Sequence, residues 1–200
     1  MSQPVLYGAS YSVYSRVVLL VLAEKGVSYQ LEETDIFSAD GLSDEYLRRH
    51  PFSRIPAFEH DGFRLFETTA ITRYIDEAFN GPALMPGTTQ ERARVNQIIG
   101  ILDSYAYRCW VWDIYVEEDK DKIATALPLA ETCLSVIEEL MSGDSCFIGS
   151  NVTLADLHAL PMIAYLSKKA EGQDLLDRHP RWLKWQRSMS QRPSVAALHP

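Results

Sequence analysis

Two short segments carry residues that could hold a peptide ligand. Ile55 and Pro56 open a predicted strand, and Glu67 and Thr68 stand where the next predicted helix begins. A cis bond before Pro56 would bend the chain, so that Ile55 offers its backbone N–H and C=O to an antiparallel peptide. The free N–H groups of the helix and the Thr68 hydroxyl would hold a carboxylate, and Glu67 would hold an ammonium. Together these groups predict a site for an α-amino-acid end followed by a peptide backbone.

The first loop carries hydroxyl groups that could stabilise a thiolate. Ser10, Ser12 and Ser15 surround the start of a helix that we predict from Ser15 or Arg16 to Lys25, with Ser15 as its N-cap. A hydroxyl at this place can donate to a thiolate, and the helix N-terminus adds positive potential, so both lower the pKa of a thiol. Lowering it from ~9 to ~6.5 requires about 3 kcal/mol, which one charged hydrogen bond and the helix dipole could supply.

The elements that must position these groups fall into two parts of different class. Residues 1–80 alternate strand and helix signals in the order β-α-β-α-β-β-α, with a hairpin turn predicted at Asp61-Gly62. Prolines and glycines then cluster in a predicted linker at 81–89, and residues 90–200 show apolar residues at helical spacing only. The sequence therefore predicts a small α/β domain followed by an all-α domain.

Composition excludes several function classes. The chain has 200 residues, with 19 Lys or Arg against 27 Asp or Glu, and a net charge of −8 disfavours a nucleic-acid partner. The longest apolar run, Val17–Ala23, is too short to span a membrane. Three cysteines without a C-x-x-C motif, and no signal-peptide pattern, predict a cytoplasmic protein. Five scattered histidines at no helical ligand spacing predict that it binds no metal.

Three segments carry longer motifs: His50–Phe58, Phe66–Ile75 and Thr153–Asp156. With them the chain resembles, from end to end, the cytosolic glutathione transferases, with Thr68 in place of the family's Ser. The motifs are most similar to serine-type members, closest to phi- and theta-like bacterial enzymes. The resemblance implies a thioredoxin-like domain followed by an all-helical domain, and a homodimer. It also implies that Thr153–Asp156 is a structural capping box, and the Thr-x-x-Asp spacing indicates the same.

The resemblance also implies roles for the first two segments. Glutathione, a γ-Glu-Cys-Gly peptide, would be the co-substrate. Ile55 would pair with its cysteinyl backbone, Pro56 would be a cis-proline, and Glu67 and Thr68 would hold the γ-glutamyl end.

The thiolate partner follows from the spacing of serine-type members, in which the catalytic hydroxyl lies four residues before an Arg. Ser12 stands in this relation to Arg16, and we predict Ser12 as the catalytic residue. Ser10 and Tyr11 are neighbours that could take its place. Tyr7 lies where tyrosine-type members keep their catalytic group, but packing in the first strand is the favoured interpretation.

One charge of the family pattern is missing. Phi members use a His-Lys pair for the glycine carboxylate, and the matching place here is Gly41-Leu42. Arg54 is the candidate to supply this charge. Residues 1–80 contain 7 Lys or Arg and 12 Asp or Glu, a net charge of −5, so binding of anionic glutathione must depend on such local groups.

The resemblance predicts a transferase of the detoxifying kind, which directs the thiolate at an apolar electrophile. Tyr11 and part of an aromatic cluster in the second domain, Tyr105, Trp110 and Trp112, are possible electrophile contacts, and core packing is equally favoured for the cluster. Two alternatives stay open at this point. Glutathione could serve as the cofactor of an isomerase or dehalogenase, or the chain could be a non-catalytic binding or regulatory protein of the same fold.

Overall fold

A computed structural model describes residues 2–39 and 41–196 of the chain. They divide after Ala83 into two compact units, a boundary that falls inside the segment 81–89. The first unit contains strands and helices in the predicted order: β1 Val5–Gly8, α1 Val13–Lys25, β2 Gln30–Glu33, α2 Asp44–Leu47, β3 Ala57–His60, β4 Phe63–Phe66 and α3 Thr68–Ala78.

The sheet of the first unit has the strand order β2-β1-β3-β4. Strands β1 and β2 are parallel, as the crossover through α1 requires, and the other neighbours are antiparallel. The hairpin between β3 and β4 turns at Asp61 and Gly62, with φ values of 50° and 79°, as a two-residue hairpin turn favours. The thioredoxin-like topology predicted from the sequence is thus confirmed.

A buried ion pair fixes the two long helices of this unit to each other. The Lys25 ammonium lies 3.1 Å from the Asp76 carboxylate, and both side chains are almost fully buried. It also donates to the carbonyl oxygens of Asp76 and Pro82. Because Lys25 ends α1 and Asp76 lies in the last turn of α3, the pair sets the relative position of the helices that carry Ser12 and Thr68 at their starts.

The second unit contains helices and no strand among its described residues. Helix α4 continues without interruption into a π-helical segment, Leu102–Val116, which the apolar spacing did not predict. The helices are α4 Thr89–Ile101, α5 Lys120–Leu140, α6 Leu154–Leu166, α7 Ala170–Leu176, α8 Pro180–Ser190 and α9 Pro193–Ala196.

The core of the second unit is organised around the fully buried carboxylate of Asp156. It accepts the N–H and hydroxyl of Thr153 at 2.8 and 2.7 Å, which completes the predicted capping box. It also accepts the backbone N–H of Phe147 and the indole N–H of Trp185, both at 2.8 Å. Burial raises the pKa of Asp156, and these four donors oppose that shift. The side chain is structural, as the sequence predicts.

We expect Asp156→Ala to lower the free energy of unfolding by at least about 3 kcal/mol, because four buried donors lose their acceptor. Urea unfolding followed by tryptophan fluorescence measures this change. Asp174→Ala removes an exposed carboxylate from α7 and is the matched control. If Asp156→Ala lowered the free energy of unfolding by less than about 1 kcal/mol, the structural role of Asp156 would be contradicted.

Candidate functional site

Ser12 caps α1, which begins at Val13. Its Oγ accepts the backbone N–H of Ser15 at 3.2 Å, and only 8% of its surface is exposed. No described residue accepts the hydroxyl proton of Ser12. The oxygen is therefore engaged inside the protein while the proton stays available to a ligand.

The prediction that Ser15 caps this helix was wrong. Ser15 is fully buried in the first turn of α1, and its Oγ lies 3.3 Å from the Ala9 N–H that donates to it. A side chain at Gly8 would leave no room for this contact, since an added Cβ would lie 2.5 Å from the Ser15 hydroxyl. Ser15 thus joins the end of β1 to α1, and Ser10 is exposed outside the helix.

The two tyrosines near the loop are engaged elsewhere. The Tyr11 hydroxyl donates to the Asp35 carboxylate at 2.8 Å and accepts the backbone N–H of Ile36. Partial burial and the Asp35 hydrogen bond raise the pKa of Tyr11 to about 12. The ring of Tyr7 is covered by the Arg49 guanidinium, 4.5 Å from its centroid. Tyr11 is thus bonded to Asp35 and one face of Tyr7 is covered, while Ser12 stays the predicted donor for a thiolate.

The bond between Ile55 and Pro56 is cis, as the sequence predicts. The Tyr46 hydroxyl donates to the carbonyl oxygen of Arg54 at 2.6 Å and holds this turn in place. No described residue pairs with the backbone N–H or C=O of Ile55. These groups lie directly before β3, so an antiparallel peptide could pair with them.

Helix α3 begins at Thr68, as predicted, and Glu67 precedes it with φ 71° and ψ 115°. A non-glycine residue in this left-handed region costs about 1–3 kcal/mol and is typical of functional sites. The Glu67 carboxylate and the Thr68 hydroxyl have no described partner. An acid and a hydroxyl thus stand unengaged at a helix N-terminus, where an ammonium and a carboxylate could bind.

A histidine that the sequence did not assign lies beside these groups. The His50 ring is buried 5.0 Å from that of Phe66, and its Nδ1 has no partner. Burial lowers the pKa of His50, while the nearby charges of Glu67 and Arg54 act on it in opposite directions. Arg54 is exposed and forms no ion pair among the described residues. The guanidinium is therefore free to meet an anionic ligand.

A pocket of about 540 Å³ is lined by the end of β1, by β2 and the segment after it, and by α2. Its acidic lining residues, which include Glu32, Glu33 and Asp35, outnumber the one cationic residue, Arg49. Gly41 and Leu42 line it too and bring no charge, and Arg49 is already paired with Glu45 and Glu59. The lining of this pocket therefore offers no unpaired cation in place of the family's His-Lys pair. Arg54 stays the candidate for that role.

The aromatic residues predicted in the second unit separate into core and surface. Tyr105 and Trp112 are 55% and 37% exposed. Trp110 is fully buried; its indole N–H donates to the Ala130 carbonyl oxygen, and its ring meets that of Trp182 edge-on. Trp110 therefore offers no surface to an electrophile, and its place in the predicted site is corrected to core packing.

The described residues contain neither a candidate metal site nor a helix that could cross a membrane. No group of three or more His, Cys, Asp or Glu side chains is placed to hold a metal ion within 2–39 and 41–196. Over the same ranges, no helix has the length and apolarity needed to cross a bilayer.

Comparison with known proteins places both units in one family. Residues 2–77 match the model of the glutathione S-transferase N-terminal domain, and residues 98–193 match that of the C-terminal domain. The chain is 30% identical to glutathione S-transferase F6 of Arabidopsis thaliana, over 95% of this chain and 96% of that protein. It is 29% identical to F7 of the same plant, over 95% and 96%.

Solved structures agree with these matches. Glutathione transferase F7 from Populus trichocarpa superposes with a TM-score of 0.85 at 29% identity, covering 98% of this chain and 97% of that one. A glutathione S-transferase-I bound with lactoylglutathione gives 0.84 at 25% identity and covers 98% of each chain. The sequence analysis expected the greatest similarity to bacterial phi- and theta-like members. This expectation is corrected, since these relatives are F-series enzymes of plants. The chain belongs to the cytosolic glutathione transferase family, whose co-substrate is glutathione.

Proposed function

We propose that this glutathione transferase binds glutathione in its first unit and that Ser12 stabilises the thiolate for attack on an apolar electrophile. The observation that carries the proposal is the Ser12 hydroxyl, whose oxygen accepts the Ser15 N–H while its proton has no described acceptor. Accepting a hydrogen bond polarises a hydroxyl and makes it a better donor. The N-terminus of α1 adds positive potential at the same point.

The rest of the site supports the binding of the tripeptide. The unpaired backbone groups of Ile55, beside the cis bond to Pro56, suit the cysteinyl backbone. Glu67 and Thr68 suit the ammonium and carboxylate of the γ-glutamyl end, because both are unengaged at the start of α3. Arg54 would meet the glycine carboxylate, since it directly precedes Ile55, is exposed and forms no ion pair among the described residues.

The assembly and location of the enzyme are part of the same proposal. We propose a cytoplasmic homodimer, as the family resemblance implies. Light scattering coupled to size-exclusion chromatography measures the mass directly, and a monomer at working concentrations would contradict this part alone.

We expect Ser12→Ala to lower kcat/KM for conjugation of glutathione to an aryl halide by about 10- to 100-fold at neutral pH, because the bound thiol ionises less. Initial rates measure this change. Ser12→Thr keeps a hydroxyl and should retain more activity.

Ser12→Ala also removes the N-cap of α1, and a second variant controls for the loss of a helix cap. Thr88 caps α4 through the same kind of bond, to the Glu91 N–H at 3.2 Å, so Thr88→Ala removes a cap without touching α1. Equal rates in wild type and Ser12→Ala would remove Ser12 from the mechanism. Turnover without consumption of glutathione would instead favour an isomerase or dehalogenase.

We expect Arg54→Ala to raise KM for glutathione about three- to tenfold and to change kcat little, because the guanidinium contributes to binding rather than to the thiolate. Steady-state kinetics with varied glutathione separates the two parameters. Arg48→Ala removes the same charge from an exposed residue at the end of α2 and serves as the control. An equal effect of both variants would show that only bulk charge matters.

A further inference from the structure

Two exposed aromatic side chains form a surface beside Ser12. Tyr11 and Phe37 are 41% and 66% exposed, and their ring centroids lie 5.8 Å apart. We call this pair the Tyr11–Phe37 surface. It joins the loop before α1 to the loop after β2, and Tyr11 directly precedes Ser12 in the chain.

Asp35 holds this surface together. A single oxygen, Oδ1, accepts the Tyr11 hydroxyl at 2.8 Å and the backbone N–H of Phe37 at 2.9 Å. The Tyr11 hydroxyl in turn accepts the Ile36 N–H, so each polar group of the contact is paired. The arrangement fixes the two rings before any ligand arrives, which reduces the entropy lost on binding.

The same carboxylate makes the surface negative. The hydrogen bonds from Phe37 and Tyr11 lower the pKa of Asp35 and keep it ionised at neutral pH. Asp35 forms no ion pair with a cation among the described residues, and Glu33 acts on Tyr11 with the same sign. An aromatic ligand on the Tyr11–Phe37 surface would therefore meet uncompensated negative charge.

We propose that Asp35 makes the enzyme select neutral or cationic electrophiles over anionic ones when an aromatic electrophile stacks on the Tyr11–Phe37 surface. The inference rests on the proposed function, because the surface adjoins the site only if Ser12 holds the thiolate. Stacking on the two rings supplies affinity. Repulsion between like charges in a partly solvated site supplies the discrimination.

The test uses a matched pair of substrates, a chloronitrobenzamide and the corresponding chloronitrobenzoate. With either one, the thiolate sulfur forms a bond to the chlorinated carbon and chloride leaves with the bonding electrons; the thiol proton has gone to solvent. Each kcat/KM is divided by the uncatalysed rate constant under the same conditions. The readout is the benzoate-to-benzamide ratio of these normalised values.

We expect Asp35→Asn to raise this ratio about three- to tenfold at low ionic strength, because the repulsion is removed. Asparagine keeps an acceptor oxygen for Tyr11 and Phe37, so the surface stays assembled. Asp61→Asn is the control: it removes one charge at the hairpin turn, at the opposite end of β3 from Pro56, and asparagine tolerates the positive φ there. An unchanged ratio in Asp35→Asn, or an equal rise in Asp61→Asn, would overturn the proposal.

A second variant tests the surface itself. We expect Phe37→Ala to raise KM for the benzamide severalfold and to leave KM for glutathione unchanged, since the ring contacts only the electrophile. Unchanged KM for the benzamide would overturn the assignment of this surface.

Failure of the proposed function has a different signature. It would appear as benzamide turnover that Ser12→Ala does not reduce, or as no turnover at all. In the latter case the ratio is measured from the dissociation constants of the two S-aryl glutathione conjugates. An Asp35→Asn change in that ratio supports the charge selection, and its absence overturns it.

Discussion

The proposed chemistry depends on one hydrogen bond, from the Ser15 backbone N–H to the Ser12 hydroxyl oxygen. It starts α1 at Val13 and leaves the Ser12 proton as a donor at the positive end of the helix. In the same turn the Ser15 hydroxyl accepts the Ala9 N–H. That contact leaves no room for a side chain at Gly8. The proposed thiolate site thus lies where the end of one strand closely approaches the start of one helix.

The two halves of the proposed glutathione site share a structural principle. Each uses the beginning of a helix, with Ser12 before α1 and Glu67 before α3, and the buried Lys25–Asp76 pair fixes the far ends of the same helices. Rigid helices joined at one end hold their other ends at a constant separation. The net charge of −5 in this unit repels an anionic tripeptide. Binding must therefore depend on the helix N-termini and on local hydrogen-bond donors.

Much of this could be predicted from the sequence because its signals are local. The motif around Pro56 resembles that of the family, and this resemblance implies the cis bond, while the Asp61-Gly62 pair predicts the hairpin. The choice of Ser12 over Ser15 as cap was not predictable, because it depends on packing against Gly8. The sequence left open which of Tyr105, Trp110 and Trp112 is buried, because their spacing does not say that they lie in a π-helical segment. The Tyr11–Asp35 bond joins residues 24 positions apart, for which the sequence holds no signal.

The central claim, that Ser12 stabilises the thiolate, is tested most directly by the ionisation of bound glutathione itself. Ultraviolet difference absorption of the thiolate, followed across pH at saturating glutathione, gives the pKa of the bound thiol. The account predicts a value near ~6.5 in the wild type, and a rise of at least about one unit towards ~9 in Ser12→Ala. The same thiol pKa in both proteins would contradict it.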